Sequence, residues 1–141
     1  MVIAVIGGGA SGTLLSMELV RCSRTARVLV FEAERSRWNR GVAYAPLTSQ
    51  RLLNVPAGRM GYSADQPASF LDWLQARPDP KATGADFVDR ALYGDHLRQA
   101  FQRTVGLASD RISPITARIV RISATGEGRW ELVCSNGEVF T

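Results

Sequence analysis

Residues 1–19, MVIAVIGGGASGTLLSMEL, place four glycines within six residues directly behind a short apolar run. The run from Met1 to Ile6 is rich in Val and Ile, which is typical of a strand buried on both faces of a parallel sheet. Residues Ser11 to Cys22 then carry apolar side chains at helical spacing, and Arg27 to Ala33 is again strand-like. Strand, glycine turn, helix and strand in this order predict the start of a βαβ unit.

The glycine turn satisfies the pattern G-x-G-x-x-G, in which each glycine has a separate task. Gly7 permits the tight turn out of the strand, Gly9 leaves no side chain to block a pyrophosphate, and Gly12 lets the helix pack closely on the strand. Backbone N–H groups of the first helical turn would face the anion, aided by the helix dipole, and the Ser11 hydroxyl would add a donor. The turn therefore predicts a phosphate-binding site.

An acidic residue follows the glycine turn at the distance that a dinucleotide site requires. Glu32 lies 20 residues after Gly12, at the end of the second predicted strand. A carboxylate there accepts hydrogen bonds from the hydroxyls of the adenosine ribose, and it repels the 2′-phosphate of NADP. The motif predicts dinucleotide binding, but by itself it leaves open which dinucleotide is bound.

The chain from Arg35 to Pro67 has no sustained period and is interrupted by prolines and glycines. A loop of this length inside a compact domain is usually functional or disordered, and its aromatic and aliphatic residues argue against disorder. A plain NAD domain would use these residues for its third strand, whereas a flavin site needs a segment that covers the isoalloxazine ring. The segment therefore favours FAD.

Two helices and a β-meander are predicted for the rest of the chain. The helices cover Ala68 to Ala76, with Asp65 as a cap, and about Asp89 to Val105, with a surface loop between them. From Ile115 to Thr141 the chain alternates and carries turn signals at TGEG and at Asn136-Gly137. This pattern predicts a three-stranded antiparallel meander. Its third strand is cut off at the last residue, and we therefore expect the chain to be a fragment of a longer flavoprotein.

Composition and charge exclude several other classes of protein. The 141 residues are 45% hydrophobic, which suits one globular domain, and the net charge of +4 comes from arginines scattered without aromatic clusters. We therefore expect no nucleic-acid partner. Cys22 and Cys134 lie far apart, so no metal site is predicted. We do not expect the apolar start to be a signal peptide, because it has no basic n-region and breaks at Gly7, and no later stretch approaches a membrane-spanning length; we therefore expect a cytoplasmic protein without a membrane partner.

Several longer segments resemble one known family. GVAYAP (41–46), RLLNVPAGRMG (51–61), DQPASFLDWL (65–74) and FVDRALYGDHL (87–97) are similar to segments of the FAD-NAD(P)-binding family, which includes flavin-dependent urate hydroxylase-like and N-hydroxylating monooxygenase-like proteins. The similarity extends from VIGGGASG to GRWELVCSNGEVF, nearly the whole chain. It implies an α/β, Rossmann-like FAD-binding fold with a parallel sheet, a glycine-rich βαβ start and a C-terminal antiparallel β-meander.

The resemblance also implies a function. Residues 1–141 would be the N-terminal FAD-binding portion of a longer flavin-dependent oxidoreductase, a monooxygenase that uses NAD(P)H and acts on a small molecule. FAD would be the cofactor and NAD(P)H the co-substrate of the full-length protein. In the family a further strand and a second nucleotide-binding region follow the meander, so we expect this piece not to turn over substrate alone.

The resemblance implies roles for individual residues. The pyrophosphate would be contacted by Gly7, Gly9, Ala10, Ser11 and Gly12, the ribose by Glu32 with Ala33 beside it, and the neighbouring phosphate or flavin by Arg40 and Gly41. Asn54 and Val55 would lie near the flavin ring, and the backbone around Arg118 to Val120 would meet adenine. No catalytic residue is assigned.

Two other functions stay open. The glycine fingerprint alone is compatible with an NAD-dependent dehydrogenase domain, and the lack of a visible nucleophile–base pair is compatible with a non-catalytic dinucleotide-binding or redox-sensing module. The only histidine, His96, is expected to be structural or on the surface, because no partner acid is placed beside it. Trp38, inside the segment after Glu32, is the tryptophan most suited to contact a cofactor.

Overall fold

The computed structural model describes residues 1–46, 51–78, 82–126 and 128–141. In chain order the helices and strands are β1 (Val2–Ile6), α1 (Ala10–Cys22), β2 (Arg27–Glu32), α2 (Ser69–Gln75), α3 (Arg90–Leu107), β3 (Ile112–Thr116), β4 (Ile119–Gly126), β5 (Arg129–Cys134) and β6 (Val139–Phe140). Short 3-10 turns cover Arg35–Arg37 and Ala57–Arg59.

The first three strands form a parallel sheet in the order β1-β2-β3. The predicted βαβ start is confirmed, since β1 and β2 are parallel neighbours joined by α1. Strand β2 lies between the other two, and its Val28 and Val30 are fully buried. All three strands end at the same edge, where Glu32 pairs in register with Thr116. In open parallel sheets this carboxyl edge is where ligands bind.

The sequence analysis does not predict the third parallel strand, because it assigns residues from Ile115 onward to the meander. Helix α3 leads directly into β3, and the meander starts at Ile119 rather than at Ile115. Pro114 lies in the middle of β3 and argues against a strand in the sequence. The structure accepts it because β3, within the described residues, has a neighbour on one side only.

The predicted antiparallel meander is confirmed and forms a separate sheet in the order β4-β5-β6. Gly137, in the predicted Asn-Gly turn, has a φ of +87°, which favours glycine. The meander packs on the parallel sheet through Phe31, whose ring meets that of Phe140 edge-on at 5.0 Å. Leu132 and Cys134 complete this buried cluster, so the meander is fixed beside the end of β2.

The predicted helices are present, but one predicted cap is wrong. Asp89 caps α3, because its Oδ1 accepts a hydrogen bond from the N–H of Ala91 at 2.8 Å. Helix α2 is preceded by Ala68 and has no side-chain cap. Asp65 lies too far ahead of the helix to cap it, and its carboxylate instead pairs with Arg21 at 2.8 Å.

The main core lies between the parallel sheet and the helices α1 and α3. A second cluster joins α2, α3 and the long segment after β2, and it includes the buried side chains of Leu53 and Ala57. The described part of this segment is therefore packed, as its aromatic and aliphatic residues predict. Within the described ranges, no helix combines the length and the apolar character needed to cross a membrane.

Candidate functional site

The glycine turn joins the end of β1 to the start of α1. Gly7 has a φ of +102°, a conformation that side chains rarely adopt, and its N–H donates to the carbonyl O of Phe31 at 2.8 Å. A Cβ atom on Gly12 would lie 1.8 Å from the carbonyl O of Gly7. Helix α1 can lie this close to the turn only because residue 12 has no side chain.

The first turn of α1 presents unpaired backbone N–H groups. Gly9 caps the helix without a side chain, and its carbonyl O accepts the hydrogen bond of the Thr13 N–H at 2.9 Å. Within the described part of the chain, the N–H groups of Ala10, Ser11 and Gly12 have no hydrogen-bond acceptor. Such groups at a helix N-terminus, together with the helix dipole, form a binding site for an anion such as a phosphate.

Residues 35–46 form a covering loop that lies against the glycine turn. Asn39 is buried with a φ of +66°, a left-handed conformation that Asn tolerates better than most residues. Its backbone N–H donates to the carbonyl O of Gly8 at 2.8 Å, and its Nδ2 donates to Oγ1 of Thr13 at 3.0 Å. These two hydrogen bonds attach the loop to both the turn and the first turns of α1.

The covering loop changes the role that the motif gives to Gly9. A Cβ atom on Gly9 would lie 3.0 Å from the Cα of Gly41, which itself has a φ of +58°. The space that a side chain would fill is therefore taken by the main chain of the loop rather than kept open for a pyrophosphate. The missing side chain allows two backbones to approach, and the unpaired N–H groups remain beside this contact.

Glu32 and Trp38 lie beside the glycine turn at the carboxyl edge of the sheet. Glu32 is 8% exposed, and its Oε1 accepts a hydrogen bond from the N–H of Glu34 at 3.1 Å. The Trp38 ring would be 2.6 Å from a Cβ atom on Gly8, and its Nε1 donates to Oγ1 of Thr116 at 3.1 Å. The indole therefore extends from the glycine turn to the end of β3, next to the carboxylate.

The structure brings some of the remaining predicted residues to this edge. Ala33 follows Glu32 directly and is exposed, and Ser11 is exposed in the first turn of α1. The Arg40 side chain is directed to α3, where it pairs with Asp95. Asn54 is exposed, and no hydrogen bond joins it to the glycine turn.

The sequence analysis missed the hydrogen bond between Asn39 and Thr13, which attaches the covering loop to α1. Thr13 is fully buried and also donates from Oγ1 to the carbonyl O of Gly8 at 3.2 Å. An asparagine shortly before a glycine is a signal for left-handed backbone, which could have marked Asn39 as a turn residue. Its partner could not have been found this way, because the two residues are 26 positions apart.

His96 lies away from the glycine turn, in the cluster between α2 and α3. Its ring is 5.4 to 5.5 Å from the rings of Tyr62, Phe70 and Trp73. Burial, with the Arg103 charge as a smaller cause, lowers the pKa of His96 to about 4. The imidazole is therefore neutral near pH 7, and its position agrees with the expected structural role.

Comparisons with solved structures agree with this arrangement of sheet, turn and meander. Cyclohexanone monooxygenase from Rhodococcus sp. Phi1 bound to NADP+ has a TM-score of 0.66 and 17% identity, over 99% of this chain and 24% of that one. S-allyl-L-cysteine S-oxygenase from Allium sativum has a TM-score of 0.64 and 20% identity, over 98% of this chain and 33% of that one.

A structure with a different activity is also similar. Bacillithiol disulfide reductase from Staphylococcus aureus has a TM-score of 0.57 and 10% identity, over 99% of this chain and 35% of that one. The chain thus spans between a quarter and about a third of the length of these three proteins. At such identities the likeness demonstrates a common fold, and a fold hosts many activities.

The sequence was also compared with curated proteins and with models of protein families. No curated protein matches it. The family model described as FAD-NAD(P)-binding matches residues 4–141. That match includes the glycine turn, Glu32, the covering loop and the meander, and it confirms the predicted FAD-NAD(P)-binding domain. The chain belongs to the FAD-NAD(P)-binding family.

Proposed function

We propose that residues 1–141 are the FAD-binding portion of a longer flavin-dependent oxidoreductase, a cytoplasmic monooxygenase that uses NAD(P)H and acts on a small molecule. The observation that carries this proposal is the row of unpaired N–H groups at the start of α1, beside a buried carboxylate at the end of β2. Family membership and the monooxygenases among the structural neighbours support the flavin and the reaction class.

The residues at the carboxyl edge suit the two ends of an adenosine diphosphate group. The N–H groups of Ala10, Ser11 and Gly12 would donate to the diphosphate, which the positive end of α1 also attracts. The Glu32 carboxylate would accept hydrogen bonds from the ribose hydroxyls. Among the described residues its side chain accepts one hydrogen bond, from the N–H of Glu34, which leaves acceptor capacity on the other oxygen.

The covering loop would orient the cofactor, while the cofactor supplies the redox chemistry. When bound, the flavin would supply hydride and oxygen chemistry that protein side chains do not provide. The Gly41 main chain, in contact with Gly9, would border the diphosphate, and Trp38 would flank the ribose. Asn54 and the backbone around Arg118 to Val120 are proposed to approach the flavin and the adenine.

The first experiment titrates the chain with FAD and, in parallel, with NADH. Binding is monitored by the absorbance and fluorescence of the flavin or of the nicotinamide. We expect FAD to bind more tightly and to colour the protein yellow. Gly9→Val should abolish FAD binding, because a side chain there displaces Gly41. Gly106→Ala is the matched control, since a Cβ atom at that helical position meets nothing within 4 Å.

Each outcome separates the proposal from its alternatives. A protein that stays colourless and does not bind added FAD would contradict it. Tighter binding of NADH than of FAD would favour a dehydrogenase domain. FAD binding by the full-length protein without any NAD(P)H oxidation would favour a non-catalytic or redox-sensing module, because a monooxygenase must consume the reduced nicotinamide.

A further inference from the structure

A cavity outside the proposed dinucleotide site lies between the covering loop, α3 and the end of β3. Its volume is about 640 Å³, within the range of small-molecule pockets. Three arginines line it: Arg35 and Arg40 at the two ends of the turn that starts the covering loop, and Arg98 on α3. The cavity thus gathers positive charge that is dispersed along the sequence.

The charges around this cavity are unbalanced. No described residue that lines it is acidic. Arg40 is paired with Asp95, which does not line the cavity, and the buried Nε of Arg40 has no hydrogen-bond partner among the described atoms. Arg35 and Arg98 are exposed, and neither has a carboxylate partner in the described ranges. Arg35 and Arg98 are thus two guanidinium groups without matching acids, and with Arg40 beside them they attract an anion that carries more than one charge.

The walls of the cavity suit an organic group attached to such an anion. Trp38 and Phe101 stack on each other, with ring centroids 6.0 Å apart and an interplanar angle of 27°, and both line the cavity. Gln102, exposed on α3, adds an amide to the lining, whereas the lining side chains of Asn39 and Thr116 are already bonded to Thr13 and Trp38. An aromatic surface beside guanidinium and amide donors is a combination that binds planar, negatively charged molecules.

The cavity is separate from the glycine turn. Neither Glu32 nor any residue of the turn from Gly7 to Gly12 is among the described residues that line it. The Trp38 indole, fixed between Gly8 and Thr116, lies between the two regions. Trp38 therefore borders both the cavity and the glycine turn.

We propose that this cavity is a second ligand site, which binds a phosphate monoester of a small aromatic molecule. A phosphate monoester carries close to two negative charges at neutral pH and offers three acceptor oxygens, which matches the arginines better than a carboxylate does. The site goes beyond the proposed function, and it requires no bound FAD.

Calorimetric titration of the chain with phenyl phosphate, inorganic phosphate and benzoate tests the site. Phenyl phosphate should bind more tightly than inorganic phosphate, and benzoate, with one charge, should bind most weakly. Arg98→Gln and Arg35→Gln should each weaken phenyl phosphate binding by about tenfold, the effect of one charged hydrogen bond. Arg103→Gln is the matched control, because Arg103 is also exposed on α3 but does not line this cavity.

The same titrations in saturating FAD distinguish the two sites. Phenyl phosphate affinity should be unchanged by FAD, and FAD affinity should be unchanged in Arg98→Gln. Competition between the two ligands would place the phosphate at the glycine turn and overturn the proposal. Benzoate binding as tight as phenyl phosphate, an equal loss in Arg103→Gln, or no phosphate binding would also overturn it. A chain that binds phenyl phosphate but not FAD would keep this site and contradict only the proposed function.

Discussion

The close contact between α1 and the glycine turn makes a quantitative prediction for Gly12→Ala. The new Cβ atom would lie 1.8 Å from the carbonyl O of Gly7 and 3.3 Å from Cγ1 of Val5, whereas Cβ contacts under 3.0 Å essentially never occur. The start of α1 must therefore move away from the turn by about 1 Å. Forced overpacking of this kind costs roughly 1 to 3 kcal/mol, and more when backbone must move. We expect the free energy of unfolding to fall by about 3 kcal/mol.

The same displacement moves the unpaired N–H groups of α1, so FAD affinity should fall at least tenfold. The control is Gly106→Ala, which also replaces a helical glycine by alanine but in open space. That change should raise the free energy of unfolding by up to about 1 kcal/mol, because alanine is the better helix former. Urea unfolding followed by circular dichroism, with FAD titration, measures both. Equal stability and FAD affinity in the two variants would refute the close contact.

Three further predictions concern single side chains. Between pH 7 and pH 4 the free energy of unfolding should fall by up to about 3 kcal/mol because of His96. The pKa of His96 is 6.5 in the unfolded chain and about 4 in the folded one, so the unfolded chain takes up the proton first as the pH falls. In urea unfolding across this range, His96→Phe should not show this loss of stability. Asn39→Gly should cost about 1 kcal/mol in thermal unfolding through the lost bond to Thr13, and Asn39→Ala about 2 kcal/mol, since alanine disfavours positive φ. Glu32→Gln should weaken FAD binding about tenfold in a fluorescence titration, with Glu34→Gln as its control.

The start of the fold could be predicted from the sequence because its signals are local. The strand, the glycine turn and α1 are contiguous, and each glycine has a conformational or steric reason visible in the pattern. The meander could also be predicted, from the alternation of apolar and polar residues and from its Asn-Gly turn. Strand β3 was not, because Pro114 opposes a strand locally and only its place beside β2 overrides that preference.

In the candidate site, only residues whose role follows from their spacing to a nearby motif could be predicted from the sequence. Glu32 follows from its spacing after Gly12. The contacts of the covering loop depend instead on residues far apart in sequence, such as the hydrogen bond from Asn39 to Thr13. Arg40 illustrates the limit, because the family resemblance implies a contact with a phosphate or the flavin, but no local signal indicates that its side chain pairs with Asp95, 55 residues away in sequence.

The approach of Gly9 to Gly41 joins two segments without any side chain between them. A contact between main chains cannot be relieved by a change of rotamer, so a shift in one segment has to be followed by the other. The loop that carries Gly41 also carries Arg40, which is held by α3. The glycine turn and α3 therefore hold the covering loop from two sides, and the backbone that borders the phosphate position is in place before any cofactor binds.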